Sequence, residues 1–246
     1  MLNLATLLEE SARMYPDKTA IVFDQIRLSY RQVNAMANQL ANGLVKAGIR
    51  KGDKICVCCP NLPYFPIIVF GILKAGAVGF ICFQGTEQLP VLKEGYAGWQ
   101  EAKTCPHLWV IPTIPGADSP LEGMPTFMEL LHNQPDTFDT VATRADDTCL
   151  IIYTSGTTGR PKGAELTHSN MTINPMITCQ MGRSTKEDIL LVVLPLFHSF
   201  GFSCQMLAGI YTGATLVLQP RFDSAAILRA FEEEGITLFS GVPTMY

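Results

Sequence analysis

The sequence predicts an α/β fold, mostly parallel sheets with helices on both faces. Three observations carry that reading. Short apolar runs at 19–23, 54–59, 77–83, 107–111, 148–153, 189–194, 214–218 and 236–240 alternate with helical patterns, the rhythm from which parallel sheets are built. Hydrophobic residues make up 48% of the 246 and charged ones only 16%, ample for a sizeable core. A loop rich in glycine and hydroxyl residues follows directly on the run at 148–153, the strand-then-loop context that ligand loops require.

Taken in order, Leu4, Leu7, Leu8 and Ala12 share one helical face, and Pro16 stops that helix before the strand 19–23. A tight turn at Asp24-Gln25 leads into 26–28. Ser29 and Gln32 form a capping box for a helix with the apolar face Tyr30, Val33, Ala37, Leu40 and Leu44, and Gly48 ends it. Gly52-Asp53 opens the strand 54–59, after which Asn61 caps a helix that runs through Lys74 and stops at Gly76. Residues 112–145, with five prolines, read as a connecting segment in which only T-F-M-E-L-L-H is helical.

Composition excludes several classes of function. A net charge of −4 without any Lys/Arg cluster argues against a nucleic-acid groove or an anionic membrane as the main partner. The longest nearly uncharged apolar stretch, 62–73, is too short to span a bilayer and holds two prolines. No basic region followed by an apolar core opens the chain, so the eight cysteines read as reduced thiols in a cytoplasmic protein. Cys56, Cys58 and Cys59 lie in K-I-C-V-C-C, where strand alternation sends Cys58 and Cys59 opposite ways. With no second ligand pair nearby, they read as buried structural cysteines rather than a metal site.

Residues 148–163 read T-C-L-I-I-Y-T-S-G-T-T-G-R-P-K-G, an apolar run with the look of a buried strand emptying into a phosphate cradle. Gly156, Gly159 and Gly163 let backbone N–H groups converge, Thr154, Ser155, Thr157 and Thr158 add hydroxyls, and Lys162 adds a positive charge. An ordinary P-loop does not fit. Counting from Gly156, its second glycine position holds Pro161, and its magnesium hydroxyl position holds Gly163.

Y-T-S-G-T-T-G-R-P-K-G resembles the signature loop of the adenylate-forming (AMP-binding) superfamily, which contains acyl-CoA synthetases, luciferases and the adenylation domains of peptide synthetases. L-S-Y-R-Q-V-N at 28–34, I-L-K-A-G-A at 72–77, L-P-L-F-H-S-F-G at 194–201 and G-V-P-T-M-Y at 241–246 support it in the expected order. The last two are most similar to fatty acyl-CoA synthetases. The resemblance covers nearly the whole chain but only about the first half of a member. It implies an incomplete N-terminal large domain of two interleaved lobes, about 49–187 and 1–48 plus 188–246, with the C-terminal domain absent. One departure stands out: after I-L-K-A-G-A the segment A-V-G-F-I-C-F-Q-G runs straight on where the family has a strand, then a further helix and strand. Either the sheet is one unit smaller or the gene is degenerate there.

The chemistry implied by the resemblance joins a carboxylate to ATP, releasing pyrophosphate, and passes the acyl group to coenzyme A. Thr154, Ser155, Gly156, Thr157, Thr158, Gly159 and Lys162 would hold the phosphates, and Thr154 would help hold Mg²⁺. His198 would stand catalytically beside the carboxylate and the path of the thiol, while Gly241, Val242 and Pro243 would border the pocket for a fatty acid or other carboxylate. The family's Y-G-x-T-E motif, ribose-binding aspartate and C-terminal lysine are not found in these residues. The expectation is a fragment of a fatty acyl-CoA synthetase that is inactive alone and self-associates, as a homodimer, through uncovered strand edges. The alternative is a non-catalytic nucleotide- or partner-binding module that kept the fold.

Overall fold

The computed structural model describes residues 2–76, 79–83 in backbone only, 91–103, 105–114, 116–154 and 161–246. In chain order the elements are α1 (Thr6–Met14), β1 (Thr19–Phe23), β2 (Ile26–Ser29), α2 (Tyr30–Lys46), β3 (Ile55–Cys58), α3 (Tyr64–Ala75), β4 (Gly79–Phe83), α4 (Val91–Ala102), β5 (Leu108–Ile111) and α5 (Phe127–Leu131). They continue as β6 (Thr148–Thr154), β7 (Lys162–Thr167), α6 (His168–Gly182), β8 (Ile189–Val192), a π-helix (Gly201–Leu207), α7 (Ala208–Thr212), β9 (Thr215–Leu218), α8 (Ser224–Glu234), β10 (Leu238–Phe239) and a 3-10 turn (Pro243–Met245).

The chain divides into two compact units. Met1–Asn34, Asn61–Pro66 and Ala142–Tyr246 form the first, Ala35–Pro60 and Ile67–Val141 the second. This division differs from the lobes expected at 49–187 and 1–48 plus 188–246. Hydrogen bonds explain where 142–187 goes: Thr143 Oγ1 donates to the Leu2 carbonyl at 2.5 Å, and the Leu4 amide donates to Nδ1 of buried His168 at 2.9 Å.

In the first unit a five-stranded sheet has the order β10-β8-β9-β1-β2. All neighbours are parallel except the hairpin partners β1 and β2. Both faces are covered, as parallel sheets require. Alternate residues Val22, Leu191 and Val217 pack with Ile227 and Ala230 of α8. The residues between them, Ile21, Leu190 and Leu216, are equally buried on the opposite face. A Cβ on Gly209 of α7 would come within 2.5 Å of Leu216 Cδ2, so glycine there sets the depth of helix against sheet. The Tyr30 hydroxyl donates to the Ala214 carbonyl at 2.6 Å, and its burial pushes the phenol pKa well above its ordinary range.

The second unit holds the parallel sheet β3-β4-β5. Leu92 of α4 packs on Leu108 and Val110 of β5, with Tyr96, Trp99 and Cys58 around them. Among the described residues one helix, α4, stands between β4 and β5. The apolar face expected for α2 is buried in full at Tyr30, Val33, Ala37, Leu40 and Leu44. Its capping box is present too: the Ser29 amide donates to Gln32 Oε1 at 2.8 Å, and the Gln32 amide donates to Ser29 Oγ at 3.3 Å. α3 passes so near α2 that a Cβ on Gly71 would meet Leu40 Cδ2 at 2.6 Å.

Three expectations are corrected. Asn61 does not cap α3, which starts at Tyr64. Leu62 and Pro63 intervene, and the Asn61 side chain bonds elsewhere. The run 149–153 is not a buried strand: β6 is half-exposed, with Tyr153 72% exposed, because β7 flanks it in a two-stranded ribbon. Of the clustered cysteines only Cys59 is buried. Cys56 is exposed and Cys58 intermediate, the two sharing one face of β3.

Candidate functional site

The signature segment begins on β6 and ends on β7, two antiparallel neighbours. β6 and β7 pair from Thr148↔Thr167 up to Thr154↔Lys162, which sets Thr154 and Lys162 opposite each other. Thr154 Oγ1 donates to the Lys162 carbonyl at 3.5 Å, and both side chains are exposed. A Cβ on Gly163 would stand 3.0 Å from Ile151 Cγ2 and 3.4 Å from the Tyr153 ring, so a side chain there would crowd Ile151. Ser155, Gly156, Thr157, Thr158 and Gly159 lie outside the described residues. At the far end of β7 Thr167 caps α6 in a reciprocal box with Asn170.

His198 follows the carboxyl end of β8, in a turn where its amide donates to the Pro195 carbonyl at 3.0 Å. Its own carbonyl accepts from the Phe202 amide at 2.9 Å and so opens the π-helix. Its Nδ1 accepts from the Phe200 amide at 3.4 Å. Buried Asn61 fixes this turn. Its Oδ1 accepts from the Leu196 amide at 2.8 Å, and its Nδ2 donates to the Leu194 carbonyl at 3.0 Å and the Val192 carbonyl at 3.4 Å. Gly201 closes the turn without a side chain, since a Cβ would stand 2.9 Å from the Pro195 carbonyl carbon and 3.0 Å from the Leu194 oxygen.

Gly241, Val242 and Pro243 follow the carboxyl end of β10, the parallel neighbour of β8. The His198 turn and residues 241–243 therefore leave from the same edge of one sheet, the edge where open parallel sheets bind ligands. Gln205, in the π-helix, bridges them: its Nε2 donates to the Ser240 carbonyl at 3.2 Å. Its Oε1 is buried with no partner among the described residues, an arrangement that costs about 1–3 kcal/mol. Ser203 Oγ ties the same π-helix to α6 by donating to Asn174 Oδ1 at 2.6 Å. The structure thus joins Thr154 to Lys162 and the His198 turn to 241–243. Among the described residues no hydrogen bond links the first pair to the second group.

Sequence reasoning missed Asn61, Asn174 and Gln205 as site residues. The one local signal was Gln205 itself, a long polar residue inside the apolar run M-L-A-G-I and its approach G-F-S-C.

Comparison with known proteins shows the family and the fold. The family described as AMP-binding enzyme matches residues 8–88 and 100–246. A feruloyl-CoA synthase from Amycolatopsis sp is 34% identical over 96% of this chain and 48% of its own length. A crotonobetaine/carnitine–CoA ligase from Salmonella arizonae is 30% identical over 99% of this chain and 51% of its own. Among solved structures, an anthranilate CoA ligase in complex with anthranoyl-AMP has a TM-score of 0.86 at 25% identity, covering 99% of this chain and 50% of that one. The chain spans about half the length of the curated relatives it matches.

Proposed function

The chain belongs to the AMP-binding enzyme family, and on that premise we propose that it carries the phosphate site and part of the acyl site of an ATP-dependent carboxylate–CoA ligase. The observation that supports this most is the pairing of β8 with β10, which sends the His198 turn and residues 241–243 off one edge of a parallel sheet. The complete reaction is proposed for the full-length form, and the binding steps for this chain.

ATP, when bound, supplies the adenylyl group that activates the carboxylate with loss of pyrophosphate, and coenzyme A takes the acyl group. Toward that chemistry the exposed ammonium of Lys162 and hydroxyl of Thr154 fit a polyphosphate: one neutralises charge, and the other donates a hydrogen bond or offers the hard oxygen that Mg²⁺ takes. Ser155, Gly156, Thr157, Thr158 and Gly159 would complete the cradle between them. His198, held by the turn that Asn61 clamps, would orient the carboxylate and flank the approach of the thiol. Gly241, Val242 and Pro243 would line the acyl pocket. A fatty acid as the carboxylate rests on F-H-S-F-G and G-V-P-T-M-Y alone, and a cytoplasmic setting on the reduced-thiol reading. No helix among the described residues is long and apolar enough to cross a membrane.

The test is exchange of labelled pyrophosphate into ATP by the protein expressed from its complete gene. Exchange that depends on an added carboxylic acid is expected. ATP binding without exchange would replace the ligase with a nucleotide-binding module, and phosphate release without an acid would replace it with an NTPase.

A further inference from the structure

The π-helix Gly201–Leu207 buries six of its seven residues, and Gln205 is 3% exposed among them. Short π-helical stretches are rare and frequently occur at functional sites. The orientation of the Gln205 amide is settled by chemistry: the Ser240 carbonyl can only accept, so the nitrogen faces it and the oxygen is the orphan. An apolar side chain of similar length would fill the same space without burying an unpaired acceptor. The amide therefore costs stability in the unliganded chain unless something donates to Oε1 at another stage. Since both heads sit on one carbon, that oxygen lies beside the Ser240 carbonyl, one residue before Gly241.

We infer that Gln205 is a specificity-determining residue whose Oε1 accepts a hydrogen bond from a hydroxyl or amino group on the acyl part of the carboxylate. The substrate class is then carboxylic acids that carry such a donor, and plain hydrocarbon acids are disfavoured because they bury Oε1 against carbon. This rests on the ligase reading and on residues 241–243 bordering the acyl pocket. A pocket built to pair with a donor rejects the analogue lacking it far more strongly than an apolar pocket separates homologues. A donor reaches the buried Oε1 by a local shift, and the neighbouring Val242, Pro243 and Thr244 are exposed, with the Gly241 amide tied to the Tyr246 hydroxyl at 3.2 Å.

The experiment is titration calorimetry of the chain, with ATP present, against acids matched except for one hydroxyl: para-hydroxycinnamate with cinnamate, and omega-hydroxypalmitate with palmitate. Expected is a preference of about tenfold or more for the hydroxylated member of at least one pair, collapsing to within about twofold in Gln205→Met. A purely structural role for Gln205 would weaken both members equally and leave the ratio unchanged. The wild-type ratio needs no variant, so it decides the matter even if Gln205→Met does not fold. Equal affinities in the wild type, a ratio unchanged in the variant, or no binding of any acid would each overturn the inference. Equal affinities would assign Oε1 to a buried water. ATP binding and its loss in Lys162→Ala, measured on the same samples, report on the ligase reading separately.

Discussion

The side-chain oxygen of Asn61 accepts a hydrogen bond from the backbone amide of Leu196, 135 positions along the chain, at 2.8 Å. Together with the bonds to the Val192 and Leu194 carbonyls, this makes one buried amide the template for the turn that carries His198.

Replacing Asn61 by Leu should therefore both destabilise the fold and loosen that turn. The Val192 carbonyl keeps its bond from the Gln219 amide, but the Leu194 carbonyl and Leu196 amide lose their partner. A loss of about 2–4 kcal/mol is expected from two orphaned backbone groups, read as a lower urea midpoint. Hydrogen exchange at Leu196 should rise before that of the β8 core. Unchanged protection at Leu196 would remove Asn61 from this role.

Gly201→Ala is expected to cost about 1–3 kcal/mol through overpacking, because the new methyl meets backbone atoms of Leu194 and Pro195 that have nowhere to move. The same change should shift the imidazole resonances of His198. Thermal denaturation matching the parent, with an unmoved His198 spectrum, would contradict it.

Thiols pushed above their ordinary value make stability fall in alkali: Cys56, Cys59 and Cys105, and with them Cys149 and Cys179, whose window is the most accessible. Burial pushes Cys149 up to about 12 and Cys179 up to about 11 from the ordinary 9.0. Below pH 9 both are protonated folded and unfolded, so they contribute no slope. Above it the unfolded chain releases protons that the folded chain retains, and stability declines from pH 9 through about 11 to about 12. Urea midpoints measured across that window should fall, and less so in Cys149→Val. A flat profile would show that neither thiol is held protonated by the fold.

Self-association is expected through β10, the edge of its sheet among the described residues, and its apolar surroundings. Leu228 is 65% exposed and Tyr246 80%. Exposed edges and apolar patches pair with other chains, and a symmetric dimer is the simplest closed form. Light scattering coupled to size exclusion should report about twice the 27.0 kDa chain mass. A monodisperse monomer at tens of micromolar would contradict the expectation.

Much of the fold was legible because local signals agreed with tertiary outcome. The face Tyr30, Val33, Ala37, Leu40 and Leu44 and the Ser29–Gln32 box are written at helical spacing, and each is realised. β7 was not legible, since K-G-A-E-L-T opens on Lys and Gly, alternates only over its last four residues and has one β-branched residue, Thr167; it becomes a strand by pairing with β6. α4 was hidden by Gly95 and Gly98, which weaken any helical pattern. Asn61 showed a cap's identity and position, yet its bonds go to residues more than 130 positions away. The phosphate loop was read at 154–163 from residue types, the strand before it and the resemblance, and of the residues named there Thr154, Lys162 and Gly163 lie among those the structure describes.

The most direct test of the phosphate site is titration calorimetry of ATP and of pyrophosphate against the chain and its Lys162→Ala variant. Measurable binding by the parent is expected, weakened by about 1.5–3 kcal/mol in the variant, the scale of a hydrogen bond to a charged group. Equal affinity in the two, or no binding by the parent, would contradict it.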